Sequence, residues 1–231
     1  MKKNIVTIIA ILYSFLFANI FFATANTWTQ KADVSGAVSN GYVGFSIGGK
    51  GYVGLPGFSF WEYDPALNTW SQKANFAGAM RFRAVGFSIG NKGYIGTGSG
   101  VPWPLVYKDF WEYDPVANAW TQKTDFGGAE RTNATGFSIG NKGYIGTGFI
   151  YSDNFGEGYR DFWEYDPVAD TWTQKADFGG GKQEAAVGFS IGSKGYIGTG
   201  LGFDPSQAIS KVFWEYDPVA DTWTQKADFG G

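Results

Sequence analysis

Four glutamates sit in the same pentapeptide. Glu62, Glu112, Glu164 and Glu215 each hold the second place of Trp-Glu-Tyr-Asp-Pro, and a carboxylate two residues from an aspartate is a pair that could do general acid–base work. Four identical copies in four repeats cannot form one asymmetric acid–base pair. These glutamates are therefore expected to partner the neighbouring Gln-Lys strand or the backbone, and Asp64, Asp114, Asp166 and Asp217 to cap turns. The remaining reactive inventory is short. The 231 residues include no cysteine and no histidine, which removes disulfides, thiolate nucleophiles, zinc and iron–sulfur ligand sets and the Ser-His-Asp triad. With 18 basic against 21 acidic side chains the formal charge is −3, so no basic surplus marks a nucleic-acid partner. Tyr151 to Glu157 carries oxygen donors but not the alternating pattern of a calcium loop. No cofactor, metal or catalytic residue is expected.

Chemistry that is specific must come from residues that do not repeat. The repeats themselves are plain: Trp-Glu-Tyr-Asp-Pro recurs at spacings of 50, 52 and 51 residues, Gly-Phe-Ser-Ile-Gly begins at Gly44, Gly86, Gly136 and Gly188, and a Trp-(Thr/Ser)-Gln-Lys run begins at Trp28, Trp70, Trp120, Trp172 and Trp223. A period near 50 with several strands per period indicates a propeller or array. Each unit reads as four short strands separated by Gly-x-Lys-Gly turns (Gly-Asn-Lys-Gly in two units) and Asp-Pro turns, and no stretch after residue 25 keeps a helical apolar period. Trp61, Trp111, Trp163 and Trp214 are expected to pack between blades. The run Trp28 to Lys31 reads as one extra strand of the fourth type.

Two connections depart from the repeat: that between second and third strands, and that between the fourth strand and the next first strand. In an up-down-up-down blade both emerge on one face, and loops are where binding residues concentrate. Arg81, Phe82, Arg83, Trp103, Tyr107, Arg131, Asn133, Tyr151, Asp153, Tyr159, Arg160, Gln183 and Asp204 fall there, many of them types enriched at recognition hot spots. They are the candidate ligand-binding residues, expected to share one side of the disc. Asn91, Asn141, Asp114 and Asp166 are expected on the other.

The chain resembles the kelch repeat, whose glycines end the second strand and whose Tyr and Trp are separated by six residues. Tyr63/Trp70, Tyr113/Trp120, Tyr165/Trp172 and Tyr216/Trp223 keep that spacing, while the glycines appear as Gly-Thr-Gly in three units and the first unit has Gly54-Leu55-Pro56-Gly57. The resemblance covers residues 27–231. It implies an all-β kelch-type β-propeller of four four-stranded antiparallel blades plus the lone N-terminal strand, with units about 33–75, 76–125, 126–177 and 178–228. Kelch propellers usually close with more blades than four, so the expectation is a partial propeller, a fragment of a longer protein. The copper chemistry of galactose-oxidase-like relatives needs a Tyr–Cys crosslink and histidines, which are missing. Kelch propellers include binders, scaffolds and some enzymes; with the variation gathered on the loop face, the expectation is a non-catalytic binding or scaffold protein that recognises protein or glycan there. The alternative is a carbohydrate-active enzyme, epimerase- or lyase-like, using loop-face arginines and carboxylates such as Glu130, Glu184 and Asp153.

Residues 1–25 read as a signal peptide. Lys2-Lys3 precedes an apolar run from Ile5 to Phe22 and Ala23-Thr24-Ala25 offers a small-x-small cleavage site. A secreted bacterial protein is expected, extracellular or at the cell surface, with the periplasm as the alternative, touching a membrane only through this segment if it stays uncleaved.

Overall fold

The computed structural model describes residues 27–34, 41–54, 57–152, 155–203 and 209–230. The expected signal peptide, Asp153 and Asp204 lie outside the described residues. Two units divide the chain, Met1–Lys31 and Ala32–Gly231. Of the first, residues 27–31 are described and have no regular secondary structure, so the extra strand expected at Trp28 to Lys31 does not form.

The second unit is all-β. Blade 1 comprises β1 (Val43–Ile47), β2 (Lys50–Gly54), β3 (Phe60–Asp64) and β4 (Thr69–Gln72), and blade 2 comprises β5 (Val85–Ile89), β6 (Lys92–Gly96), β7 (Phe110–Asp114) and β8 (Ala119–Lys123). Blade 3 starts with β9 (Thr135–Ile139) and β10 (Lys142–Gly146), inserts the hairpin β11 (Phe149–Ser152) and β12 (Phe155–Gly158), and continues with β13 (Phe162–Asp166) and β14 (Thr171–Lys175). After the short β15 (Gln183–Glu184), blade 4 contains β16 (Val187–Ile191), β17 (Lys194–Gly198), β18 (Leu201–Gly202), β19 (Phe213–Asp217) and β20 (Thr222–Gln225). Each blade is a four-stranded antiparallel sheet with the long strands in chain order. The four are arranged as a propeller, with the innermost strands β1, β5, β9 and β16 packed one against the next.

Short sequence signals explain the turns. Gly140 takes φ 58° in the two-residue turn between β9 and β10, a conformation most side chains resist. In the outer turn Asp114 Oδ1 accepts from the amides of Val116 (2.8 Å) and Ala117 (3.2 Å), and the same cap recurs at Asp64, Asp166 and Asp217. Beside it Lys142 reaches Asp166, as Lys92 reaches Asp114, so the Gly-Asn and Asp-Pro turns lie at one end of the blades, as expected.

The repeated aromatics form the interface between blades. Phe60, Phe110 and Phe162 are fully buried. Phe110 meets Tyr165 and Trp172 of the next blade edge-on, at ring distances of 4.9 and 5.0 Å, and Phe60 and Phe162 do the same to their next blades. Trp111, Trp163 and Trp214 on the third strands contribute from a half-buried position, packing on Phe76, Phe126 and Phe178 of the preceding blades' tails. The Tyr-x6-Trp spacing has a further cause. Asn118 accepts the Tyr113 hydroxyl (2.8 Å) and the Ala74 amide (2.9 Å), while Trp120 Nε1 donates to Ala74 O (3.1 Å). Tyrosine and tryptophan thus clasp the residue that leaves the preceding blade. Asp170 and Asp221 repeat the arrangement, and in blade 1 Asn68 and Trp70 hold Ala32.

The glutamates are structural, with a partner the sequence reading did not name. Tyr52, Tyr94, Tyr144 and Tyr196 hydroxyls donate to Glu62, Glu112, Glu164 and Glu215 at 2.6 to 2.7 Å. Each tyrosine stands directly across the ladder from its glutamate. The expected fourth-strand partner also appears in two units, as Lys73–Glu62 and Lys226–Glu215.

Candidate functional site

The variable connections meet at the end of the blades opposite the Asp-Pro turns, and backbone pairing joins them. Phe82 and Ser99 exchange hydrogen bonds (2.8 and 2.9 Å), Thr132 and Phe149 do likewise (2.9 and 3.0 Å), and β15 pairs with β18. In blades 2, 3 and 4 the segment before the first strand is thereby laced to the segment after the second strand. Arg83, Asn133 and Ala185 have φ of 53 to 55°, and they link successive blades: Asn133 N donates to Arg83 O and Ala185 N to Asn133 O.

This lacing withdraws part of the expected binding set from solvent. Arg131 has no exposed surface and Arg81 very little. Arg131 grips Asp161 through two bonds (2.6 and 2.8 Å) and also donates to Thr147 O and Ala129 O. Its guanidinium lies between the rings of Phe126 and Tyr159, 4.8 and 4.2 Å from their centres. Arg81 does the same with Asp109, Thr97 O, Phe76 and Tyr107. Burial alone would raise the Asp161 and Asp109 pKa values, but the arginine bonds and charge outweigh it and hold both carboxyls below the usual range. Arg81 and Arg131 are therefore corrected from ligand contacts to the centres of an internal clamp, with the half-buried rings of Tyr107 and Tyr159 against their guanidinium groups. A buried guanidinium must be paired, and here every pairing is intramolecular.

Gln183 takes the same position in blade 4, also fully buried, and donates to Ser210 Oγ at 2.7 Å. It too is corrected to a structural role. Asn133 is half-buried and donates to Glu184 Oε2 at 2.6 Å. Arg160 is exposed and pairs with Asp177 at 3.1 Å.

Phe82, Arg83, Trp103 and Tyr151 are brought together. With Gly41, Ser99, Gly100 and Val101 they line an open pocket of about 500 Å³. Trp103 belongs to the blade 2 connection and Tyr151 to the β11–β12 hairpin of blade 3, yet their rings meet edge to face at 4.3 Å, with Phe149 4.5 Å behind Tyr151. Both stay substantially exposed, Trp103 at 52% and Tyr151 at 43%. Gly100 lets the Tyr107 ring approach closely, because a Cβ there would stand 2.3 Å from the Tyr107 hydroxyl and the ring would have to shift. The pocket thus has an aromatic wall built from two blades and a guanidinium, Arg83, near the blade junction. Such a surface can stack on a planar or apolar face and pair with an acceptor.

Sequence reasoning missed Asp109 and Asp161, and a signal for them was present. Arg81 and Arg131 occur in the units with aspartate before the third strand. Where the arginine position holds Ser39 or Gln183, the aspartate position holds Ser59 or Val212. No residue type announced Ser99, Gly100 or Val101 as pocket lining.

Among the described residues no cluster of acidic side chains suits a metal ion, and no helix is long and apolar enough to cross a membrane. No protein-family model matches the chain, and no curated protein matches it. Among solved structures, the structure of YjhT is similar, with a TM-score of 0.71 and 17% sequence identity over 82% of this chain and 65% of that one. The chain therefore spans just under two thirds of that structure's length. Likeness at this identity speaks for fold, and fold alone does not assign function. Together with the four antiparallel blades, it makes the chain a β-propeller.

Proposed function

We propose that this is a secreted kelch-repeat propeller that binds protein or glycan at its loop face without catalysing a reaction. The observation that carries the proposal is the Trp103–Tyr151 pair: two large rings from separate blades, exposed, in contact, and rimming a pocket that also holds Arg83. Exposed aromatic clusters are costly to keep without a partner, and Trp, Tyr and Arg dominate recognition hot spots. Support for binding over carbohydrate processing comes from Arg81 and Arg131, which an acid–base or anion-polarising reading needs and which are committed to Asp109 and Asp161.

Probing the full chain against glycan and protein arrays tests this. Binding that disappears when Trp103→Ala and Arg83→Ala are combined is expected. Array signals unchanged by the double substitution, or turnover of a bound saccharide, would overturn it.

A further inference from the structure

Each blade after the first receives side chains from the blade before it in a socket made of two glycines. A Cβ at Gly86 would stand 2.8 Å from Val43, and one at Gly93 would stand 2.3 Å from the Phe45 ring. The next junction repeats the fit, Gly136 against Val85 and Gly143 against Phe87 at 2.1 and 2.5 Å, and the last sets Gly188 and Gly195 against Thr135 and Phe137. These glycines exist because knobs from the neighbouring blade fill the space their side chains would take.

Both halves of one more such junction stand uncovered. Blade 1 keeps the socket, Gly44 and Gly51, yet among the described residues a Cβ at either would meet only its own blade, Tyr52 O or Tyr63 Cβ at 3.6 Å. Blade 4 keeps the knobs. Ile191 is 62% exposed where Ile89 and Ile139 are 6% and 7%, and Val187 and Phe189 are exposed where Val85, Phe87 and Phe137 are buried. Phe229 hydrogen-bonds through its amide to Lys211 O as Phe126 does to Lys108 O, but Phe126 is covered by the next blade and Phe229 is 64% exposed. Together Val187, Phe189, Phe213 and Phe229 line an apolar hollow of about 460 Å³. Among the described residues β16 does not pack on β1 as the other inner strands pack on one another.

We propose that a second copy of this chain fills that hollow, head to tail, with blade 4 of one copy seated on blade 1 of the other. The three junctions within the chain are the template, and blades 1 and 4 carry its two complementary sides. The clasp on blade 1 is compatible: Asn68 and Trp70 hold Ala32, and residues 27–33 have the same seven residues as 222–228, so Ala227 of an arriving copy can take Ala32's place bond for bond. Association of unlike faces also shields an apolar sheet face that would otherwise invite aggregation.

Sedimentation of the full chain across a concentration series tests the proposal, with two variants. Gly51→Leu fills the empty socket without touching another blade, and Phe189→Ser removes a knob. The wild-type chain is expected to sediment above single-chain mass, and each variant alone at single-chain mass with the β circular dichroism of the folded blades retained. Mixing the two variants should restore a two-chain species through the one intact junction. A single-chain mass for the wild type at every concentration would overturn the proposal and point to some other occupant of the face. So would assembly that survives Gly51→Leu, because blade 4 faces would then be joining each other.

Discussion

Arg131 has traded its whole hydration shell for four protein acceptor contacts and two aromatic rings, so removing its counter-charge should be more damaging than removing any surface ion pair. Asp161→Asn is expected to cost about 3–5 kcal/mol at neutral pH, because it strands a buried guanidinium; denaturant midpoints measure it. The pH dependence has a definite sign. The Asp161 and Asp109 carboxyls are held below their ordinary pKa, so their contribution is complete above the unfolded value of about 3.9 and is lost as pH falls through the folded value. Wild type should weaken on acidification below about pH 4 while Asp161→Asn weakens less, narrowing the gap. Residue identity alone could not separate Arg81 and Arg131 from Arg83. All three are arginines in variable connections, and what separates them is burial beside an aspartate some thirty residues downstream in the chain.

The strands and the junctions between them show how much a repeated motif can carry. The four-strand unit, its order and the Asp-Pro caps were legible because each depends on local turn chemistry and on alternation that recurs four times. The β11–β12 hairpin and the short β15–β18 pair were not: the hairpin occurs in a single connection, and β15 and β18 come from two different variable connections that pair across blade 4. The run at Trp28 has a strand's sequence and no strand, because a strand needs a ladder partner as well as a pattern. Asn118 exemplifies the junctions. It is solvent-exposed with φ 50°, yet its side chain bonds both Tyr113 and Ala74. Asn118→Gly keeps the backbone conformation and deletes only those bonds, so a loss of about 1–3 kcal/mol is expected in thermal or denaturant unfolding, well above the usual surface substitution. Phe110→Ala, which empties the centre of a junction, should cost roughly 3–5 kcal/mol.

At the scale of the whole propeller, stability is invested in buried phenols, and the proposed recognition in the few rings left out. Burial, aided by carboxylate acceptors, raises the pKa of Tyr52, Tyr94, Tyr144, Tyr165 and Tyr216, and burial beside Glu62 and Asp114 pushes Tyr113 up to about 12. Raised values mean that their stabilisation is complete below the unfolded pKa of about 10 and is lost as pH rises toward the folded values. Alkaline unfolding is expected to begin above about pH 10, with ionisation of the buried tyrosines coinciding with loss of β circular dichroism; an absorbance change that accounts for every tyrosine while the β signal is still intact would contradict the packing described. The loop face was legible as a face, because alternation of strand direction fixes which connections share an end. Its pocket was not, because Trp103 and Tyr151 come from different blades and meet only when the blades pack. The central claim is that residues differing between blades make the recognition surface, and amide hydrogen exchange with the strongest array ligand bound tests it most directly. Added protection at 81–84, 98–107 and 149–151 is the predicted result. Protection at the Gly-Asn and Asp-Pro turns instead, with none at those segments, would contradict it.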